Sequence, residues 1–384
     1  MYRPGRSLTV RFRADAWRAS TGRRESFSVT VETRAEGPPP LPPAAPPHPT
    51  LPAEPVAVCG PYLVWAFPYD PSLPGLPAAA DEVRVRRHLS PPPESVAVDP
   101  IRYRPRRRAV LRYRTWNSVF YAKVLPPGRA ESALAVAGAI RDAGAAGPLH
   151  LALPVARLAR GALLVPALPG RCLRDLLLEG AALPPPERLA RLPEELADLA
   201  TPGFSRLAAQ AGAMGETRRR VDPAVAQRAA EVLGRLVPRL AGTARRIADA
   251  VSEQAEADPA GERVVHGDLY ESQVFVAPDQ RLGLLDLDDL GPGDPALDAA
   301  NFCAHLTVLA TAGRPVARRV LSYREALRAA FLERLGLGRR SLACREAYAM
   351  LLLASGPFRV LQPDWPGRVA ARLGLAERLL EDPG

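Results

Sequence analysis

Side chains with carboxylate and carboxamide groups recur at short spacing in the last third of the chain. Asp268 lies shortly after an apolar pair, Gln273 comes five residues later, and Asp286 stands 18 residues after Asp268. A phosphoryl-transfer site needs one base for the attacking hydroxyl group and oxygen ligands for a Mg²⁺ ion on the nucleotide phosphates. These three side chains are of the types that such chemistry requires.

The chain contains one lysine. Of its 51 basic residues, 50 are arginine and the other is Lys123. Arginine serves as well as lysine on a solvated surface, but not where a compact ammonium group must contact phosphates. We therefore expect Lys123 to contact the α- and β-phosphates of a nucleotide from the strand-like stretch Phe120–Val124. Its neighbours, Ala122 and Val124, exclude the G-K-[ST] sequence of a P-loop.

The composition indicates a folded protein in a reducing compartment. Apolar residues make up 47% of the 384 residues and charged residues 24%, which excludes disorder of the whole chain. The sequence has no apolar run long enough to span a membrane and no signal-peptide core at its start. Its four cysteines lie far apart and form no C-x-x-C pair, so we expect a cytoplasmic enzyme without a disulfide framework.

Shifts in composition divide the chain into three predicted regions. Residues 1–100 form a β-rich region with a proline-rich linker at residues 38–55, which contains ten prolines in 18 residues. Residues 101–168 form a second β-rich region, and residues 169–384 are mostly helical. The chain begins almost inside a predicted strand, so we expect the natural start upstream of Met1.

A short internal repeat links the first two regions. Residues 2–13 match residues 103–114 at an offset of 101, with six of twelve positions identical. Both segments end in alternating apolar and arginine residues, a pattern typical of a half-buried strand. The repeat therefore predicts two related hairpins.

Aspartate–proline pairs mark the starts of two helices. Asp222-Pro223 and Asp294-Pro295 each combine a capping side chain with a proline suited to the first helical turn. Asp298, in the second helix, is expected on the helix surface or as a brace for a loop. Apolar periodicity predicts three more helices, at residues 315–335, 341–353 and 368–380. Short apolar runs predict a strand–loop–strand unit from residues 264–265, 274–276 and 282–287.

Four motifs together resemble those of the aminoglycoside phosphotransferase and choline kinase group. They are H-G-D-x-x-x-x-[N/Q] at 266–273, L-D-L-D-D at 285–289, G-D-P-x-x-D at 293–298 and the hinge-like stretch at 164–170. The resemblance covers residues 103–365. It implies an α+β, bilobal protein-kinase-like fold with a β-rich N-lobe and a mostly helical C-lobe. Residues 101–168 would then be the N-lobe, and residues 169–384 the C-lobe with the catalytic loop and the metal site.

The resemblance also implies roles for residues of the catalytic loop. Asp268 would be the catalytic base, and His266 would brace the loop by hydrogen bonding. Asp286 and Gln273 would hold Mg²⁺, and Asp288 could add to metal binding or attract a cationic substrate. Gln273 stands where the group usually has asparagine, but glutamine offers the same amide oxygen, and the maltokinase branch has a similar pattern.

The nucleotide site implied by the resemblance draws on the N-lobe. Lys123 would contact the phosphates and would be oriented by Glu131, eight residues later at the start of a helix. The backbone around Val165 and Ala167 would receive the base. The partners implied are ATP or GTP and a small-molecule hydroxyl acceptor, with Mg²⁺ as cofactor. Aminoglycosides, sugars and amino alcohols all remain open as acceptors, and the sequence does not indicate the oligomeric state.

Two alternatives remain beside an active kinase. Gln273 and the absence of a glycine-rich loop at residues 114–118 favour a pseudokinase that binds nucleotide or a partner without turnover. The arginine excess suggests a second alternative, a protein that binds nucleic acid. Residues 266–300, however, contain eight acidic residues and one arginine, a local net charge of −7 that leaves +17 for the rest of the chain. Such an acidic stretch supports a metal site and argues against contact with nucleic acid.

Overall fold

The computed structural model divides the chain into two compact units. The first unit comprises residues 1–134 and 153–167, and the second comprises residues 135–152 and 168–384. Within the predicted proline-rich linker, residues 39–47 and 49–54 lie outside the residues that the structure describes. The described residues are 2–3, 6–18, 22–38, 48, 55–89, 91–142, 147–199, 219–257, 261–311 and 313–382.

Strands dominate the first unit and are short in the second. In chain order they are β1 Tyr2–Arg3, β2 Ser7–Arg18, β3 Arg23–Arg34, β4 Val56–Cys59, β5 Tyr62–Ala66, β6 Ala97–Arg104, β7 Arg108–Arg114, β8 Val119–Val124, β9 His150–Leu151, β10 Ala156–Ala159, β11 Ala162–Pro166, β12 Arg171–Cys172, β13 Arg263–Val265, β14 Val274–Val276, β15 Leu282–Leu284 and β16 Gly291–Gly293.

Helices form most of the second unit, and the first two helices of the chain lie in the first unit. In chain order they are α1 Leu76–Ala79, α2 Glu82–Arg86, α3 Pro127–Asp142, α4 Leu173–Glu179, α5 Pro186–Ala190, α6 Leu192–Ala197, α7 Pro223–Leu236, α8 Ala241–Ala257, α9 Pro295–Ala310, α10 Arg314–Leu335, α11 Arg339–Ala354, α12 Gly356–Arg359 and α13 Trp365–Glu381. Among the described residues, no helix combines the length and the apolar character needed to cross a bilayer. The β-rich N-terminal part and the mostly helical C-terminal part confirm the predicted α+β fold class.

The first unit contains two antiparallel sheets with the same strand order. The strands lie side by side as β1-β2-β3-β5-β4 in one sheet and as β6-β7-β8-β11-β10 in the other. The register repeats as well, since Tyr2 pairs with Leu8 and Tyr103 pairs with Ala109. These pairs are separated by the 101 positions of the sequence repeat. The two related hairpins predicted from the sequence are therefore confirmed.

Tyr103 connects the two sheets inside the first unit. Its hydroxyl group accepts a hydrogen bond from Trp65 Nε1 at 2.8 Å and donates one to Asp70 at 2.7 Å. Asp70 also accepts from the backbone N–H of Arg106 at 2.9 Å, in the turn between β6 and β7. Burial raises the pKa of Asp70. A buried carboxylate with these donors fixes the hairpin turn against the other sheet.

The second unit is built around apolar helix faces. Residues of α7, α8, α9, α11 and α13 share one buried core, which includes Tyr348 and Met350. The two predicted helix starts are confirmed. Asp222 caps α7 by accepting hydrogen bonds from the backbone of residues 224 and 225, and Asp294 caps α9 by accepting from Ala296. In both helices a proline follows the cap, where its missing N–H costs nothing.

The three strands of the predicted strand–loop–strand unit are present, and they belong to two different sheets. Residues 263–265 pair with β16, whereas β14 and β15 form a hairpin that continues to β12 on one side and, in parallel, to β9 on the other. The third strand also ends at Leu284 rather than Leu287. Asp286 has a positive φ of 58° and residues 287–289 form a 3₁₀ turn, so the chain leaves the extended conformation there.

Candidate active site

His266 holds the loop between β13 and β14 by hydrogen bonds. Its ring is fully buried, and Nε2 lies 2.8 Å from the carbonyl oxygen of Leu285. Nδ1 accepts from the backbone N–H of Asp268 at 3.3 Å. Together these contacts fit the tautomer that carries its proton on Nε2. His266 therefore ties the segment around Asp268 to the segment around Asp286.

Asp298 on α9 anchors the same loop through its backbone N–H groups. Its carboxylate accepts hydrogen bonds from the backbone N–H groups of His266, at 2.6 Å, and of Gly267, at 3.0 Å. Burial raises the pKa of Asp298 to about 6. Gly267 has a φ of 80°, and a Cβ there would lie 2.8 Å from the carbonyl oxygen of Asp289. The structure thus decides between the two predicted roles of Asp298, because the residue is a buried brace for the loop.

Gln273 and Asp286 lie side by side in the second unit. Gln273 Nε2 donates to Asp286 Oδ2 at 3.4 Å. The backbone carbonyl oxygen of Gln273 accepts from the backbone N–H of Leu285 at 2.9 Å. Gln273 is buried and Asp286 is half-buried. The left-handed φ of 58° at Asp286 is uncommon for a residue other than glycine and is most often tolerated by asparagine and aspartate. Asp288 follows on the 3₁₀ turn and is also half-buried.

The oxygen atoms of this pair suit a Mg²⁺ ion that shares its ligands with a nucleotide. Among the described residues, no group of three or more His, Cys, Asp and Glu side chains is arranged to hold a metal. A complete protein cage is not needed, because Mg²⁺ keeps several waters and typically binds one or two carboxylates plus phosphate oxygens. One carboxylate at Asp286 and one carboxamide oxygen at Gln273 match that limited donor set.

The remaining predicted site residues belong to the first unit. Lys123 lies on β8 between β7 and β11, opposite Val110 and Leu163. It is half-buried, whereas Glu131 on α3 is exposed. Of the hinge-like residues, Val165 is buried at the end of β11 and Ala167 is exposed just after it.

Arg219 was not predicted and explains three glycines. Its buried side chain packs against β16, where a Cβ at Gly291 would overlap its guanidinium group and a Cβ at Gly293 would lie 2.6 Å from its own Cβ. Gly267 faces the same side chain. One guanidinium nitrogen lies 3.5 Å from the carbonyl oxygen of Asp289. The local sequence does not indicate this contact, because Arg219 and Asp289 are 70 residues apart.

A stacked pair next to the loop between β13 and β14 was also missed. The rings of Tyr270 and His305 lie 4.2 Å apart and nearly parallel, at 25°. Burial, followed by the charges of Arg372 and Arg174, lowers the pKa of His305 to about 4. The imidazole is therefore uncharged at neutral pH. Arg174 in turn pairs with the buried Glu271 at 2.7 Å.

Buried ion pairs connect the start of α9 to α11, and α11 to α10. Arg345 on α11 donates to Asp294 at 2.6 Å, so the residue that caps α9 is also half of a buried salt bridge. One helical position further along α11, the fully buried Glu346 accepts from Arg324 and Arg328 of α10. The start of the helix that carries Asp298 is thereby fixed to α11, and α11 is in turn paired with α10.

Comparison with known proteins places the chain in a family. The sequence model described as "Phosphotransferase enzyme family" matches residues 105–344. No curated protein sequence matches the chain. Among solved structures, the chain is similar to an ethanolamine kinase from Plasmodium vivax, at 10% identity and a TM-score of 0.49 over 75% of this chain and 84% of that chain.

Two further solved structures are similar at the same low level. The GDP complex of wild-type aminoglycoside 2'-phosphotransferase-IIIa is 16% identical, with a TM-score of 0.47 over 78% of this chain and 97% of that chain. A choline/ethanolamine kinase family protein from Mesorhizobium loti is also 16% identical, with a TM-score of 0.47 over 71% of this chain and 85% of that chain.

Proposed function

Because the chain belongs to the phosphotransferase enzyme family, we propose that it transfers the γ-phosphoryl group of ATP or GTP to a hydroxyl group of a small molecule. The observation that carries the proposal is the anchoring of the loop around Asp268. Asp298 holds the two preceding backbone N–H groups, and His266 holds the N–H of Asp268 itself. A base must be held in place to accept a proton in the transition state.

Asp268 is the proposed base. It accepts the proton of the acceptor hydroxyl group as the oxygen attacks the γ-phosphorus, and the nucleoside diphosphate leaves with the bridging oxygen. The side chain is half-buried, so it is reachable from solvent while its backbone is fixed. His266 has both ring nitrogens engaged with the backbone and acts as a positioning residue.

Asp286 and Gln273 would hold Mg²⁺, with Asp288 beside them on the 3₁₀ turn. When bound, the ion neutralises charge on the phosphate oxygens and orients the nucleotide. The hydrogen bond from Gln273 Nε2 to Asp286 directs the amide nitrogen to the carboxylate and leaves Gln273 Oε1 available as a ligand. The glutamine that replaces asparagine is therefore compatible with metal binding.

The first unit would supply the nucleotide contacts. Lys123 is proposed to contact the phosphates, because its ammonium group is the only lysine charge in the sequence and sits on the central strand of its sheet. Glu131 is proposed to orient it. The backbone at Val165 and Ala167 is proposed to receive the base of the nucleotide, since β11 ends at Pro166, between these two residues.

The deciding experiment measures Mg²⁺-dependent release of ADP or GDP across a panel of aminoglycosides, sugars and amino alcohols. We expect turnover with one class of acceptor, and a loss of at least about 100-fold in kcat for Asp268→Asn. Asp279→Asn is the matched control, because Asp279 is an exposed acid in the turn between β14 and β15 and its contact with the backbone of Arg281 survives as asparagine.

Two outcomes would overturn the proposal. Tight Mg²⁺-dependent nucleotide binding without turnover on any acceptor would identify a pseudokinase. The absence of any metal-dependent nucleotide binding would contradict the proposed nucleotide site. Lys123→Arg separates binding from chemistry, because it keeps the charge but loses the compact ammonium group, and we expect it to raise the KM for nucleotide.

A further inference from the structure

Three polar residues of α9 contact successive parts of the loop between β13 and β14. They are Asp298, Asn301 and His305. Because they are three and four positions apart, their side chains lie on the same face of the helix. Asp298 holds the N–H groups of the two residues before Asp268, and the other two side chains meet the two residues after it. The loop therefore runs along one face of α9, with the proposed base in the middle of the contact.

The side chain of Asn301 holds the residue that follows the proposed base. Its Nδ2 donates to the carbonyl oxygen of Leu269 at 2.9 Å. Because a carbonyl oxygen can only accept, this contact also determines which end of the carboxamide is the nitrogen. The side chain of Leu269 is fully buried. Leu269 is therefore held both through its side chain and through its carbonyl group.

Asp268 is thereby fixed through the backbone on both sides. Its own N–H donates to His266 Nδ1 at 3.3 Å, and the two N–H groups before it are bonded to Asp298. A residue has only two soft backbone dihedrals, φ and ψ. With the chain held before Asp268 and again at Leu269, little freedom remains in the direction of its Cα–Cβ bond. The carboxylate is directed by contacts that its neighbours make.

The stack of His305 on Tyr270 extends the contact with α9 by one more residue. The two rings lie 4.2 Å apart and are nearly parallel. The carbonyl oxygen of Tyr270 accepts from the N–H of Gln273 at 2.9 Å, which closes the turn that leads to β14. The helix face thus holds residues 266–270 as one segment, on both sides of the proposed base.

Building on the proposed function, in which Asp268 is the base, we propose that Asn301 is a positioning residue for phosphoryl transfer. Its hydrogen bond to Leu269 keeps the carboxylate of Asp268 directed at the acceptor hydroxyl group. A displacement of about 1 Å can cost about 100-fold in rate. Loss of this bond therefore acts on the chemical step, and the binding of nucleotide is left nearly unchanged.

Two variants of Asn301 separate the hydrogen bond from the packing of the side chain. Asn301→Leu has nearly the same size and no donor, whereas Asn301→Gln keeps the NH₂ group on a side chain that is one methylene longer. We expect kcat to fall about 10–100-fold in Asn301→Leu and less than about fivefold in Asn301→Gln. The KM for nucleotide should stay within about twofold of the wild type in both.

Thr307→Ala is the matched control for these kinetics. Thr307 is a half-buried polar residue on the same helix, and its hydroxyl group donates to the carbonyl oxygen of Cys303 at 3.0 Å, within α9 itself. Its kcat should stay within about twofold of the wild type. A loss in Asn301→Gln as large as that in Asn301→Leu would assign the effect to packing and overturns the proposal. A kcat of Asn301→Leu close to that of the wild type overturns it as well.

Hydrogen exchange, followed by mass spectrometry of peptides that cover residues 264–274, tests the contact apart from turnover. The loop amides should exchange faster in Asn301→Leu than in the wild type, and Thr307→Ala should leave their exchange unchanged. Equal exchange in Asn301→Leu and the wild type would show that Asn301 does not hold the loop. The two proposals fail in different ways. A wild type without turnover on any acceptor overturns the proposed function together with this role, whereas an active wild type matched by Asn301→Leu overturns this role alone.

Discussion

The carboxylate of Asp298 accepts a hydrogen bond of 2.6 Å from the backbone N–H of His266. The same carboxylate holds Gly267, while Asp294, one helical turn earlier, caps α9 and pairs with Arg345 on α11. The loop that carries the proposed base is therefore fixed to the beginning of α9, and that helix end is fixed to α11. Two aspartates on one helical turn connect the core of the second unit to the site.

Asp298→Asn should slow turnover without weakening nucleotide binding. Asparagine has one acceptor oxygen, and its amide NH₂ faces the second backbone N–H, so one of the two loop contacts is lost. A small displacement of the base is enough to lower kcat about 10–100-fold. Steady-state kinetics should show a lower kcat with an unchanged KM for nucleotide. An unchanged kcat would show that the loop does not need this brace.

The same substitution should change how stability depends on pH. Burial raises the pKa of Asp298 from 3.8 to about 6, so the folded state binds this proton more tightly than the unfolded chain. The stabilisation is complete below pH 3.8 and is lost as the pH rises through about 6. The free energy of unfolding of the wild type, minus that of Asp298→Asn, should fall by about 3 kcal/mol over this range.

Urea unfolding at steps between pH 4 and pH 7 measures that difference. His305 also titrates in this range, because its pKa is lowered to about 4, but its contribution has the opposite sign and is shared by both proteins. It cancels in the difference. A difference that stays constant or rises with pH contradicts the prediction.

The side chain of Gln273 should determine the Mg²⁺ concentration that the reaction needs. Gln273→Ala removes the carboxamide oxygen and also the hydrogen bond to Asp286, so we expect the Mg²⁺ concentration for half-maximal activity to rise about 10–100-fold. Gln273→Asn keeps an amide oxygen, although closer to the backbone, and should lose less. Titration of activity with Mg²⁺ at saturating nucleotide measures both. An equal loss in the two variants would assign the role to side-chain length rather than to the oxygen.

Glu346 should be among the costliest single side chains to remove. It is fully buried and accepts from Arg324 and Arg328, so Glu346→Ala removes the buried carboxylate that both guanidinium groups share and leaves Arg324 with the exposed Glu325. Such a loss costs about 3–5 kcal/mol. Glu325→Ala is the control, because Glu325 also contacts Arg324 but is 62% exposed, and should cost less than about 1 kcal/mol. Urea unfolding at pH 7 compares the two.

Local features of the fold were predictable from the sequence because their causes lie within a few residues. Asp222 and Asp294 cap helices through N–H groups two or three positions away, and their identity alone indicates the helix start. The repeat at Tyr2 and Tyr103 preserved the residues on both sides of a tight turn, so it predicted two hairpins with one register. Similar short-range patterns indicated Asp268 and Gln273 as site residues, and their roles stay predictions.

Contacts across long stretches of chain were not predictable. The strand at residues 263–265 pairs with β16 rather than with β14, and nothing in three residues, two of them valine, specifies that choice. Arg219 contacts glycines more than 70 residues later, and Arg345 reaches Asp294 from another helix. Arg219 is the middle one of three consecutive arginines in a chain with 51 basic residues, and this pattern gives no signal that its side chain is buried.

Gly170 should tolerate a side chain far less well than Gly180. Both glycines have left-handed φ values, 88° and 77°, so alanine costs each about 1–2 kcal/mol from backbone conformation alone. At Gly170, however, a Cβ would overlap the carbonyl oxygen of Val276 on β14, whereas at Gly180 the nearest atom is the end of the Arg319 side chain at 3.5 Å. Backbone cannot move away as a long side chain can.

Thermal and urea unfolding of Gly170→Ala and Gly180→Ala should therefore differ by at least about 2 kcal/mol, with Gly170→Ala the less stable. Gly170 ends the hinge-like stretch, so its alanine variant should also raise the KM for nucleotide, while Gly180→Ala should leave it unchanged. Equal destabilisation by the two variants would mean that β12 does not approach β14 closely enough to need a glycine.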